Sequence, residues 1–254
     1  MDIPTLAWQE RLYHRDALRS GRYAALADAE GFDAICFAVE ALGLRLEGAK
    51  RSLGKYKDRL EVLSRGSIVL SQLSVSHPER FTTFSALFAL VKKARDDAMH
   101  TGVFARHATA AAIELCIGLE EALMKEQQVR RQEVKDFMVK SPVYLEEWQP
   151  VAHARQLMLT HSFSFLPVNI GGWKLLSEDG IARYLFGKDD WAKRLSKTIK
   201  DAAQELQLVE ATVLKPGDEV ARVLANNAGN QTRLWLVADD QSRLCGVLSP
   251  FELM

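Results

Sequence analysis

Cysteine is scarce. Cys36, Cys116 and Cys245 are the only three in 254 residues, and they are spaced neither like metal ligands nor like a disulfide framework. Cys36 and Cys116 fall in apolar stretches and read as core, which points to a reducing, cytoplasmic setting. Net charge is absent too. Lys+Arg and Asp+Glu are both 33, so no global bias draws the chain to nucleic acid, membrane surfaces or acidic ligands. No apolar run approaches the roughly 20 residues of a membrane span, so no membrane partner is expected. Met1-Asp2-Ile3-Pro4 has no basic n-region, so no secretory leader is expected.

What is present is the composition of a folded protein, 48% apolar and 26% charged. The length suits two domains, each with its own core. Residues 1–131 carry 19 basic and 17 acidic groups, so the helical half is not basic in bulk. Arg45 to Arg65 is a local exception, with seven basic groups against three acidic ones. A solvated helix face and a phosphate-tracking stripe both fit that run.

The first half reads as helix. One segment runs from Pro4-Thr5 to about Ser20, where Gly21 interrupts. A second covers Tyr23 to Leu42, Gly43 is a soft stop, and helix resumes from Leu44 to about Arg65. Ser76-His77-Pro78-Glu79 is a helix start, and the helix runs to about His100 before the Gly102 stop. A last helix is expected from about Val103 to Arg131.

From Val134 the texture changes to short apolar runs and turns. Ser141 to Tyr144 reads as a brief strand and Val151 to Thr160 as a helix. Ser164 to Val168 and Trp173 to Leu176 read as strands around Gly171-Gly172. The pattern then recurs in Ala211 to Leu214, Glu219 to Asn227, Arg233 to Val237 and Leu244 to Leu248. The expected fold class is α + α/β, an all-helical bundle followed by a pair of β-α-β-β-α repeats. The expected domains are 1–131 and 132–254, with repeats at about 134–187 and 208–254.

Val134-Lys135-Asp136-Phe137-Met138 with Ser141-Pro142, then Ala154 to Met158, Phe165-Leu166-Pro167-Val168 and Gly246 to Glu252, resemble a tandem pair of cystathionine β-synthase (CBS) domains. The resemblance covers about half the chain. It implies a regulatory adenine nucleotide, AMP, ADP or ATP, held by Ser249 and Glu252 with the backbone around Thr212 and Val213 facing the base. A carboxylate accepts from both ribose hydroxyls, and a serine with helix-start amides donates to phosphate. The first repeat has Ser177-Glu178-Asp179-Gly180 at the equivalent place, with glycine where the carboxylate belongs. One competent site, in the second repeat, is therefore expected. A pair that only dimerises is the alternative.

Arg95-Asp96-Asp97-Ala98-Met99-His100 resembles the signature of HEPN domains, helical bundles of which many are metal-independent ribonucleases. The bare spacing also occurs at Arg155/His161, in the other half. Arg95/His100 has the better context, at the end of a long helix in an all-helical region. On an ideal helix Arg95 and His100 lie roughly 140° apart, whereas Asp96 and His100 share a face. The resemblance implies a homodimer in which two motifs meet and cleave RNA without a catalytic cofactor. His100 would move a proton, Arg95 would stabilise the pentavalent phosphate, and Asp96 would fix the imidazole tautomer. An ion pair and a capping histidine at a helix end fit the same residues.

The leading expectation is a nucleotide-regulated endoribonuclease. The alternative is a non-catalytic nucleotide-sensing regulator or scaffold whose degenerate bundle binds a protein partner. His153 and His161 have no suitably spaced ligands and read as surface or capping residues, and no metal site is expected.

Overall fold

Near the start of the chain two helices cross so closely that glycine is needed where they touch. They are α1 (Trp8–Ala27) and α2 (Phe32–Glu47). A Cβ on Gly21 would lie 3.0 Å from the Ala34 carbonyl oxygen and 3.1 Å from the Ile35 Cα. Gly21 therefore does not interrupt α1. Its helix-propensity cost of about 1 kcal/mol is offset by close packing. Gly43 also lies inside a helix, where a Cβ would come within 2.5 Å of the Tyr56 ring. The real stop is Gly48, which adopts φ 76° and donates its N–H to Leu44 O.

The structure, a computed structural model, describes residues 3–28, 31–101, 106–125, 132–186, 190–226 and 234–254, without the side chains of residues 98–101, 106 and 107. Packing divides the chain into two units, Met1–Arg130 and Arg131–Met254.

The first unit continues through α3 (Lys57–Ser64), a π-helical turn at Val69–Leu73 and α4 (Ser74–Ser76). The long helices α5 (Phe84–Thr101) and α6 (Arg106–Met124) follow. Val103, Phe104 and the polar stretch from Glu126 to Arg131, expected in the last helix, lie outside the described residues. The helix start expected at Ser76 to Glu79 is instead a turn, in which Arg80 and Phe81 donate to His77 O. Thr83 caps α5, its Oγ1 accepting from Ala86 N at 3.4 Å. Leu18, Ile35, Val39, Leu42, Leu60, Phe88, Val91, Leu115 and Leu119 are all buried in one core. Each such side chain contributes roughly 1.5–3 kcal/mol on burial. Inside this apolar surround Arg22 grips Glu120 through two hydrogen bonds of 3.1 and 3.2 Å, tying α1 to α6.

The second unit holds two sheets. One contains β2 (Leu145–Glu146), β3 (Phe165–Asn169) and β4 (Trp173–Ser177), with α7 (Val151–His161) crossing from β2 to β3 and α8 (Glu178–Leu185) after β4. The other contains β6 (Val213–Leu214), β7 (Trp235–Ala238) and β8 (Leu244–Leu248), with α11 (Val220–Asn226) as crossover and a 3-10 turn at Pro250–Leu253. The parallel pairs match: Leu145 faces Val168 and Leu214 faces Val237.

Each sheet is completed by a strand that precedes the other repeat. β1 (Val139–Lys140) pairs with β8, and β5 (Val209–Glu210) pairs with β4. The leading segments are exchanged likewise. Val134 N donates to Asp218 O and Lys135 N to Pro216 O, while Val151 N donates to Lys197 O and Ile199 N to Gln149 O. Ser141 to Tyr144 is thus the turn between β1 and β2, with Ser141 at φ 53°, and not the expected strand. The charged stretch after α8 forms α9 (Trp191–Ser196) and α10 (Ile199–Ala202), and Ile199, Ala202 and Leu206 enter the first repeat's core.

Candidate functional sites

The strand directions of the second repeat bring Thr212 and Ser249 to one end of a sheet. β6 and β7 are parallel and begin there, while antiparallel β8 ends there. Val213, Leu236 and Val247 form one row across the three strands, so β6 and β8 stand about 10 Å apart. Thr212 O accepts from Leu236 N at 3.0 Å, and the side chains of Thr212 and Val213 are exposed.

Ser249 and Glu252 are in direct contact. The Ser249 hydroxyl donates to Glu252 Oε2 at 2.5 Å, and Ser249 N donates to the same oxygen at 2.8 Å. Ser249 Oγ accepts from Phe251 N at 3.2 Å, with Pro250 opening the turn. This is a capping box. The Ser-x-x-Glu spacing thus has a local structural role, and it also sets a hydroxyl and a carboxylate side by side at the end of the sheet.

The equivalent place in the first repeat is built differently. Ser177 caps α8, its Oγ accepting from Gly180 N at 3.0 Å. A Cβ on Gly180 would lie 2.5 Å from the Leu206 carbonyl oxygen, so the segment entering the core covers this turn. Asp179 faces Arg183 at 2.8 Å on the exposed side of α8. The first repeat therefore has a buried glycine where the second has a carboxylate, three residues after its capping serine.

In the helical unit, the structure couples Arg95 and Asp96 to partners absent from the motif. Arg95 Nη2 stands 2.5 Å from Glu40 Oε1 on α2, and both side chains are about one quarter exposed, at 27% and 24%. Asp96 accepts from Lys92 Nζ at 2.7 Å across one helical turn. The His100 side chain lies outside the described residues. Sequence reasoning missed Glu40, because a partner 55 positions away on another helix leaves no spacing signal. Burial pushes the nearby Cys36 thiol up to about 12 and raises Cys116 as well, so neither is a thiolate nucleophile at neutral pH.

Two members of the basic run are anchored on carboxylates, Arg45 to Glu10 at 2.6 Å and Arg59 to Glu47 at 3.0 Å. That pairing fits a solvated helix face. His161 stacks on Phe163 with ring centroids 5.1 Å apart. Among the described residues no group of three or more His, Cys, Asp or Glu side chains is arranged to hold a metal ion. Nor is any described helix long and apolar enough to cross a membrane.

No protein-family model and no curated protein matches this sequence. Solved structures do. A CBS domain-containing protein of unknown function from Bacillus anthracis is 18% identical, covering 50% of this chain and 94% of its own, with TM-score 0.41. CBSX2 in complex with AMP is 17% identical over 48% of this chain and 92% of its own, with TM-score 0.39. The CBS domain of a bacterial CNNM/CorC family Mg2+ transporter in complex with ATP is 13% identical over 48% and 84%, also with TM-score 0.39. The chain folds as an all-helical N-terminal unit followed by two β-α-β-β repeats, the first ending in a helix and the second in a 3-10 turn.

Proposed function

We propose that this chain is a nucleotide-sensing regulatory protein. Its second repeat binds one adenine nucleotide, AMP, ADP or ATP, and its helical unit is what that nucleotide controls. The observation that carries this reading is the contrast between the repeats. Ser249 and Glu252 stand together at the sheet end, whereas Ser177 is followed three residues later by a covered glycine. The similar structures of CBSX2 and of the CNNM/CorC domain hold AMP and ATP, which suggests the ligand class.

The chemistry follows from the donors and acceptors present. Glu252 exchanges its bonds to Ser249 for the two ribose hydroxyls. The freed Ser249 hydroxyl and the Phe251 N–H then donate to phosphate oxygens. The backbone of Thr212 and Val213 faces the base. Binding acts on the helical unit only to the extent that the nucleotide prefers one conformation of the whole chain over another.

Titration calorimetry of the full chain with AMP, ADP and ATP tests this. The expected result is one nucleotide per chain, with affinity lowered at least tenfold by Glu252→Ala. Silence toward all three nucleotides, or binding indifferent to Glu252→Ala, overturns it.

A second reading makes the helical unit a metal-independent endoribonuclease, with Arg95, Asp96 and His100 acting on RNA in a homodimer. It is favoured by the spacing of Arg95 and His100 at the end of α5, and opposed by the engagement of Arg95 with Glu40. Cleavage of RNA to 2′,3′-cyclic phosphate ends, lost in His100→Ala, would support it. Cleavage unchanged by that substitution would end it.

A further inference from the structure

Cations from three helices meet around a cavity that neither the nucleotide reading nor the RNA reading uses. It lies in the helical unit and has a volume of about 270 Å³. Arg11 of α1, Arg65 at the end of α3 and Lys125 at the end of α6 line it, with apolar walls of Val62, Leu63 and Ala122. Among the described residues no Asp or Glu lines it. Gly66 brings the two helix ends together, since a Cβ there would lie 3.3 Å from both the Ala122 Cα and its carbonyl oxygen. Arg11 is fixed in place, donating from Nε to Leu6 O at 3.2 Å and from Nη1 to Leu123 O at 3.1 Å.

Helical spacing offers Arg65 and Lys125 a partner each, and the fold withholds both. Glu61 stands four residues before Arg65 and Glu121 four residues before Lys125, the order that favours an ion pair along a helix. Glu61 instead accepts from Ser85 Oγ of α5 at 3.0 Å. Glu121 accepts from Ser67 Oγ at 2.5 Å and from Ile68 N and Val69 N at 3.0 and 3.3 Å, where it caps the π-helical turn. Among the described residues Arg65 and Lys125 form no ion pair. The carbonyl ends of α3 and α6 bring roughly −0.5 charge each, about half of what these two side chains carry. The rim therefore stays positive.

We infer that this cavity binds one phosphate group, free or as the monoester of a small molecule. The planar fork of Arg65 fits two phosphate oxygens, and the Lys125 ammonium supplies a point charge to a third. At pH 7 a phosphate monoester carries about −1.5 to −2 charge, which matches two cations, whereas a carboxylate would leave one of them over. The walls of Val62 and Leu63 admit only a short apolar group, because the cavity is smaller than those that hold drug-sized ligands. The site involves none of Arg95, Asp96, His100, Ser249 or Glu252, so it stands or falls apart from both readings above.

Phosphorus NMR of inorganic phosphate titrated with the full chain, at constant ionic strength, is the test. The wild type should broaden the phosphate line saturably, at one site per chain. Arg65→Gln and Lys125→Gln should each weaken binding about tenfold and leave the thermal midpoint of the free protein in place, since both side chains are exposed. Arg51→Gln, an exposed cation outside the cavity, should leave binding unchanged. Ethyl phosphate binding more tightly than inorganic phosphate identifies a monoester as the ligand, and any other order the free ion. A wild type that gives no saturable broadening overturns the inference. So does binding that Arg65→Gln leaves intact and Ser249→Ala removes, which would place the phosphate in the second repeat. An equal loss in Arg51→Gln, the mark of diffuse attraction, overturns it as well, and so does acetate binding as tightly as phosphate.

Discussion

The two repeats share a strand order and a pair of exchanged edges, yet they end differently. After β4 the first repeat runs into α8, whose Ile181, Tyr184 and Leu185 fill a core with Leu166 of β3. After β8 the second repeat has a 3-10 turn, and the position equivalent to Leu166 holds the larger Trp235, 2% exposed. The first repeat thus spends its last turn on packing, and closure over Gly180 leaves no room for a carboxylate. The second keeps its last turn shallow, and Glu252 remains half-exposed beside Ser249. One architecture serves as support in one copy and as a candidate receptor in the other. The difference lies in what covers the position three residues after the capping serine.

The most severe way to break this comparison is to make the first repeat resemble the second. Gly180→Glu forces a side chain against the Leu206 carbonyl and should cost more than about 3 kcal/mol, measured by urea denaturation. A neutral result would show that the segment around Leu206 moves aside and that the first repeat can be opened.

Within the helical unit, removing Glu120, the largely shielded partner of Arg22, shows how much burial adds to an ion pair. Glu120→Ala should cost about 3–5 kcal/mol in the helical unit, whereas Glu10→Ala, which frees the half-exposed Arg45, should have a far smaller effect. Equal effects would mean that the Arg22 site is wetter than its burial implies.

Glu252→Ala should be the mild change for stability, about 1 kcal/mol from the lost capping box, while the nucleotide affinity falls at least tenfold. If stability falls by several kcal/mol and affinity does not move, the pair is a cap and nothing more.

The smallest expected effect is one of pH. His14 is 6% exposed in the helical unit, and burial holds its pKa below the ordinary histidine value, while Glu10 opposes and Arg45 reinforces the shift. The folded state favours the neutral ring. The contribution is therefore complete above the unfolded value of about 6.5 and is lost as pH falls. The thermal midpoint should drop between pH 7 and pH 5, and His14→Gln should flatten that drop. An unchanged profile would place the acid-sensitive groups elsewhere.

Much of this architecture was legible beforehand, because period and punctuation are local. Leu244 to Leu248 was read as a strand and is β8, and Trp173 to Leu176 lies within β4. The change of texture at Val134 and the recurrence that follows revealed a paired repeat. Glycines misled in the helical half. Gly21 and Gly43 serve distant neighbours, Ala34 and Tyr56, and nothing near them in the chain says so. Pro78 misled as well, since its turn precedes α5 and Thr83 provides the cap. At the candidate sites the residue types were readable but their present partners were not. Ser249 and Glu252 were paired by spacing and do meet, whereas Arg95 is held by Glu40 from another helix.

By itself the sequence determined most of the long helices and strands, that the C-terminal half is a repeat, and that only one repeat carries a serine followed three residues later by a carboxylate. Those are properties of neighbours along the chain, where propensity, capping and alternation act over a few residues. Only the tertiary structure decided that β1 and β5 exchange sheets, that Leu206 closes over Gly180, and that Arg95 belongs to Glu40. These depend on which distant surfaces close-pack and which charges are desolvated together, quantities that no local spacing encodes.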